Sequence, residues 1–91
     1  MRFAVLALDK PDSLALRQAT RPAHLEYMAN FATPVAGPLL DDAGNMCGSL
    51  VMYEADSAEQ VADIVANDPY QLAGLFESVV IREFKTVAWP S

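Results

Sequence analysis

The sequence predicts an α+β domain whose elements run β-α-β-β-α-β, with helices on one face of a four-stranded antiparallel sheet. Three observations carry this reading. A β-prone run opens the chain and ends in a turn, a string of turn residues separates two apolar stretches near the middle, and residues 57–67 carry the start signal and apolar face of an amphipathic helix. The 91 residues leave room for one domain, and 53% hydrophobic against 20% charged residues is the balance of a folded chain.

The first strand is "RFAVLAL", residues 2–8, closed by the turn "DKPD". From Asp12 the string "DSLALRQATRPAHLEYMANF" is rich in helix formers, and Leu14, Leu25, Met28, Ala29 and Ala32 offer an inward stripe. Pro22 interrupts it. A proline removes a helical hydrogen bond in an interior but costs little at a start, so Thr20 is the expected cap of a fresh segment after a kink, with His24 in its first turns.

In "TPVAGPLLDDAGNMCGSLVMYEA" the "DDAGN" string suits a hairpin between strands two and three. Pro34 and Pro38 lack a ladder donor and restrict strand two to an edge or an irregular path. Ser57 with Gln60 three residues on is a capping box, and Ala58, Val61, Ile64 and Val65 share one face of the second helix, which should stop by Asn67. Asp68-Pro69 then reads as the cap and first residue of a short turn, "DPYQLAG". "LFESVVIREFKTVAW", 75–89, supplies strand four.

This order is the ferredoxin-like split βαβ arrangement. Its helices cover one sheet face, yet "SLVMY" and "SVVI" send apolar residues to both. The expected cover for the other face is a second copy, giving a homodimer through sheet faces.

Charge and composition exclude several functions. Twelve acidic residues against six basic ones, net −6, leave no basic surface for nucleic acid. No apolar run approaches the ~20 residues of a membrane helix, and "MRFAVLALDK" is too short for a signal peptide, so the expected compartment is the cytoplasm. The single cysteine, Cys47, permits no internal disulfide and reads as a small residue near a turn. One histidine and one cysteine do not suffice for an ordinary zinc site, and no dinucleotide or phosphate-loop signature is present; neither metal nor cofactor is expected.

The motifs R-P-x-H-L at 21–25, A-G-P-L-L-D at 36–41, G-S-L at 48–50, D-P-Y at 68–70 and A-G-L-F-E at 73–77 are weak singly but specific in their order and spacing. Through them the chain resembles the YCII-related (YciI-like) proteins over nearly its whole length. The resemblance implies a ferredoxin-like fold, assembly as a dimeric α/β barrel, and an active site built on a His–Asp pair, whose positions match His24 and Asp68. One relative in the family is a dehydrochlorinase acting on a chlorinated hydroxyhydroquinone, while most members have no known reaction.

Such a pair has a clear chemistry. A neutral imidazole removes a proton near pH 7, and a carboxylate on its other nitrogen fixes the tautomer. His24 is the expected base and Asp68 its orienter. Arg21, three residues before His24, is placed to hold an anionic substrate; Ser49 could bond a ligand from strand three, and Tyr70, Tyr27, Phe76 and Met28 could wall a pocket. Each has a plainer role open to it. His24 and Arg21 suit a helix surface, Asp68 is explained as a cap, Ser49 as a strand serine facing water, the tyrosines as core or interface, and Gly37, Gly48 and Gly74 as turns or close approaches. Three functions stay open: a cofactor-free lyase or isomerase acting on a small cyclic compound, a non-catalytic binding dimer, and an accessory module with a vestigial pocket.

Overall fold

The elements in chain order are β1 (Arg2–Asp9), α1 (Leu14–Met28), β2 (Val35–Leu40), β3 (Met46–Glu54), α2 (Ala58–Ala66), α3 (Pro69–Leu72) and β4 (Phe76–Phe84) in a computed structural model that describes residues 1–88. All strand pairs are antiparallel and the sheet order is β2-β3-β1-β4, the ferredoxin-like arrangement. The proline-bearing β2 is an edge strand, where missing ladder donors cost least.

Register fixes the two faces. Phe3, Val5 and Ala7 of β1 stand beside Tyr53, Val51 and Ser49 of β3 on the helix side, with Val79 and Ile81 of β4 continuing the row. Ser49 apart, these side chains and Val61 and Val65 of α2 form most of the core, which Met28 of α1 joins. The alternate residues, among them Leu6, Leu8, Val35 and Val80, remain exposed on the outer face. The β2–β3 hairpin closes on Asp41, whose carboxylate accepts from the N–H groups of Ala43 and Asn45, while Gly44 takes the left-handed φ of 83° that a side chain would resist. Gly48 is required by a close approach, since a Cβ there would stand 2.6 Å from the Ala7 carbonyl oxygen. Gly37 serves neither a turn nor a close approach within the chain.

α2 forms as expected. The Ser57 hydroxyl accepts from the Gln60 N–H, the Gln60 side chain accepts from the Asp56 N–H, and the helix ends at Asn67. α1 differs in two ways. It passes through Pro22 without a fresh start, so Thr20 lies inside it, caps nothing, and places His24 well along a single helix. Pro22 and the Gln18 residue whose carbonyl loses its donor are both exposed, so water can take the missing bond. The inward stripe also differs. Leu25 is 51% exposed and Ala29 and Ala32 face solvent, whereas Arg17, His24, Tyr27 and Met28 face inward. β4 ends at Phe84; the predicted continuation over 85–88 is not strand, and Trp89 lies outside the described residues.

Candidate active site

The path from α2 to β4 is short and tightly specified. Asp68 caps α3, its carboxylate accepting from the Tyr70 N–H at 2.9 Å, and Pro69 occupies the first helical position. At the other end Gly74, with φ of 77°, lets its own N–H reach the Gln71 carbonyl and the Leu75 N–H reach that of Tyr70, a Schellman motif. One turn of helix thereby fixes Asp68 and Tyr70, both buried, against α1.

His24 meets Asp68 there. Its Nδ1 lies 2.8 Å from the same Asp68 Oδ1 that caps α3, with side-chain exposures of 12% and 6%. A carboxylate can only accept, so Nδ1 donates and a neutral ring keeps its lone pair on Nε2. The imidazole also stacks on Tyr70, centroids 3.9 Å apart and planes within 17°. Burial raises the Tyr70 phenol above its usual range, against the opposing pull of Arg17 and Arg21.

Beside the pair lies a cavity of about 160 Å³ between α1, α3 and the β2–β3 half of the sheet. Arg21, His24, Leu25, Met28, Ser49 and Tyr70 line it, together with β2 from Ala36 to Pro38. All five expected site residues, His24, Asp68, Arg21, Ser49 and Tyr70, thus gather in one place, Asp68 behind the His24 ring. Arg21 is exposed and makes no hydrogen bond or ion pair among the described residues, which leaves its guanidinium for an anion. Two expected wall residues are elsewhere. Tyr27 donates its hydroxyl to the Ile64 carbonyl at 2.6 Å, and Phe76 packs edge-on against Tyr70 away from the cavity. Ser49 faces the cavity, not water; it is buried because its β3 position points to the helices.

Sequence reasoning missed Arg17 and Asp9. Arg17 is 2% exposed and lines the same cavity. Its Nε and Nη2 bond the two Asp9 carboxylate oxygens at 2.7 and 2.9 Å, its Nη2 also reaches the Ser49 Oγ at 2.8 Å, and its guanidinium carbon sits 4.5 Å from the Tyr70 ring centre. Burial opposes the charge, but the hydrogen bonds and charge of Asp9 more than offset this and strengthen its hold on the proton. The signal was available: Arg17, Arg21 and His24 stand at i, i+4 and i+7, a polar stripe on one helical face. Among the described residues no group of three or more His, Cys, Asp and Glu side chains is arranged to hold a metal ion, and no helix is long and apolar enough to cross a membrane.

Fold and site together define a ferredoxin-like α/β protomer with a histidine–carboxylate pair set in a cavity between sheet and helices. The YCII-related domain matches residues 1–85, and the chain belongs to that family. It is 34% identical to Protein YciI of Escherichia coli, over 96% of this chain and 99% of that protein. The structure of 5-chloro-2-hydroxyhydroquinone dehydrochlorinase (TftG) from Burkholderia phenoliruptrix, in complex with 2,5-dihydroxybenzoquinone, matches with a TM-score of 0.87 and 35% identity, over 93% of this chain and 94% of that one. The Rv0793 protein of Mycobacterium tuberculosis, at 15% identity, TM-score 0.61 and full coverage of both chains, shares the fold.

Proposed function

We propose that this chain is a cofactor-free acid–base enzyme that eliminates from or tautomerises a small cyclic hydroxy compound, with His24 as base, Asp68 as its orienter and Arg21 as the contact for a substrate oxyanion. The observation that carries the reading is the 2.8 Å His24–Asp68 contact at the edge of a cavity. The similarity to a dehydrochlorinase supports the reaction class. Loss of HCl from a chlorinated polyhydroxybenzene needs no redox partner. Two phenolic O–H bonds break, a proton adds at the chlorinated carbon, and chloride leaves with the C–Cl pair, so the ring becomes a quinone while that carbon keeps a hydrogen. A base that carries one of these protons to carbon suffices, the other leaving to solvent alongside the chloride.

The test is chloride release from 5-chloro-2-hydroxyhydroquinone by the purified chain, with His24→Ala as control. The variant should lose activity roughly 10²- to 10⁴-fold, the usual share of a general base, while its melting temperature holds. Equal turnover by variant and parent would remove His24 from the chemistry. A parent that neither dehalogenates this compound nor tautomerises any of a panel of cyclic enols would favour the non-catalytic binding dimer.

We also infer that a second copy covers the outer sheet face, where Leu6, Leu8, Val35 and Val80 are exposed beside Leu50 and Met52. Leu6→Glu should convert a dimer into a monomer in sedimentation velocity; a parent already monomeric at micromolar concentration would refute it.

A further inference from the structure

We propose that Arg17 is a positioning residue that turns the Ser49 hydroxyl into a fixed hydrogen-bond donor aimed at a carbonyl or oxyanion in the cavity, an inference that rests on this cavity being the ligand site.

A serine hydroxyl carries one proton and two lone pairs, and its rotor ordinarily chooses between giving and receiving. At Ser49 that choice is weighted toward giving. The Arg17 Nη2, a permanent donor, occupies a lone pair of Oγ at 2.8 Å, and Oγ has no other hydrogen-bond partner among the described residues. With one lone pair already engaged by a cation, the O–H is the part of the hydroxyl without a partner that a ligand acceptor best completes, on a side chain that is 6% exposed and borders the cavity. Arg17 cannot drift from this duty. Two of its nitrogens are tied to both oxygens of Asp9, whose side chain is only 5% exposed, and its guanidinium lies over Tyr70, the ring on which His24 stacks.

The cavity then has a fixed polarity. The Ser49 hydroxyl and the Arg21 guanidinium are donors, and the His24 Nε2 lone pair is the acceptor. Such a lining fits a ring that offers an acidic O–H to His24 and an electron-rich oxygen to Ser49, meaning a conjugated hydroxy-carbonyl compound or its anion. A hydrocarbon ring with a single hydroxyl would leave the buried Ser49 donor unmatched, a loss that costs more than the missing bond itself.

The experiment is a double-mutant cycle on binding of 2,5-dihydroxybenzoquinone, followed by calorimetry with Ser49→Ala, Arg17→Lys and the double variant. Lysine keeps a charge for Asp9 but lacks the planar fork that holds Asp9 and Ser49 together. Ser49→Ala should weaken binding about 10-fold. Arg17→Lys should weaken it by a similar factor in the parent and have almost no further effect in the Ser49→Ala background. Additive losses, or an unchanged affinity in Ser49→Ala, would overturn the proposal, since an Arg17 that only braced the fold would act whether or not the hydroxyl is present. Failure of the parent to bind the quinone at millimolar concentration overturns it as well. The expected cycle without turnover of the chlorinated substrate supports the donor role and counts against the enzymatic reading alone.

Discussion

The two long helices lie on the same face of one sheet and obey opposite rules. α2 turns Val61, Ile64 and Val65 inward, buries Val61 completely, and begins with a side-chain cap. α1 turns Arg17, His24 and Tyr27 inward with Met28, leaves Leu25 in solvent, starts without a side-chain cap, and carries a proline. An apolar inner face is the cheap solution for a helix on a sheet, because charges buried there need partners. Where a helix departs from it with every buried side-chain nitrogen and oxygen partnered, as holds among the described residues, the departure marks where chemistry can sit.

Five substitutions, the last read against pH, sharpen or break this contrast. Asp68→Asn should have the largest effect on α1's side. The amide oxygen can still cap α3, but a neutral partner no longer stabilises the imidazolium, so turnover should fall roughly 10²- to 10⁴-fold with about 1 kcal/mol of stability lost in urea unfolding. Loss of folding instead would show Asp68 to be chiefly structural. Next, Arg17→Met should lower stability by about 3–5 kcal/mol, because it strands the buried Asp9 charge. Asp9→Leu with Arg17→Met should recover much of that without restoring binding, which separates the pair's structural part from its role at Ser49. Val61→Ala on α2 should cost about 2 kcal/mol and leave kcat unchanged; altered kinetics would mean the two helices are not independent.

The smallest effect is confined to alkaline pH. Burial raises the phenols of Tyr27, Tyr53 and Tyr70, with the Asp68 charge adding to it. Above about pH 10, the usual tyrosine value, the unfolded chain sheds protons that the folded chain retains. The unfolded state then binds fewer protons, and stability falls as pH rises through the raised folded values. Below that window these groups contribute no slope. Tyr53→Phe should flatten part of the decline in a urea–pH series; an unchanged slope would show the Tyr53 phenol ionising freely in the fold.

The same contrast explains what could be read in advance. Strand order, the edge position of β2, the Asp41 turn, the α2 capping box and the Asp68 cap all follow from local chemistry that agrees with the packing. α1 is less legible because its inner stripe is charged: an apolar stripe points to Leu25 and away from Arg17, and Pro22 signals a break that the helix does not make. For Ser49 a ligand-facing and a water-facing place both stay open, because a lone serine on a strand carries no sign of its neighbours. Its partner, 32 residues away, becomes visible only once β3 and α1 are packed. Tyr27 and Phe76 are pocket candidates by residue type alone, and the turn of α1 and the register of β4 send them elsewhere.

The Asp68 Oδ1 receives both the Tyr70 N–H and the His24 ring. Under the mechanism proposed above, one atom answers to two kinds of selection. A lineage that abandoned catalysis would still be held to an acceptor at this position by the need to start α3, whereas nothing in the backbone asks for an imidazole at 24. Among descendants of this fold, a retained aspartate is a mark of architecture. It is the histidine whose loss would date the end of the proposed chemistry.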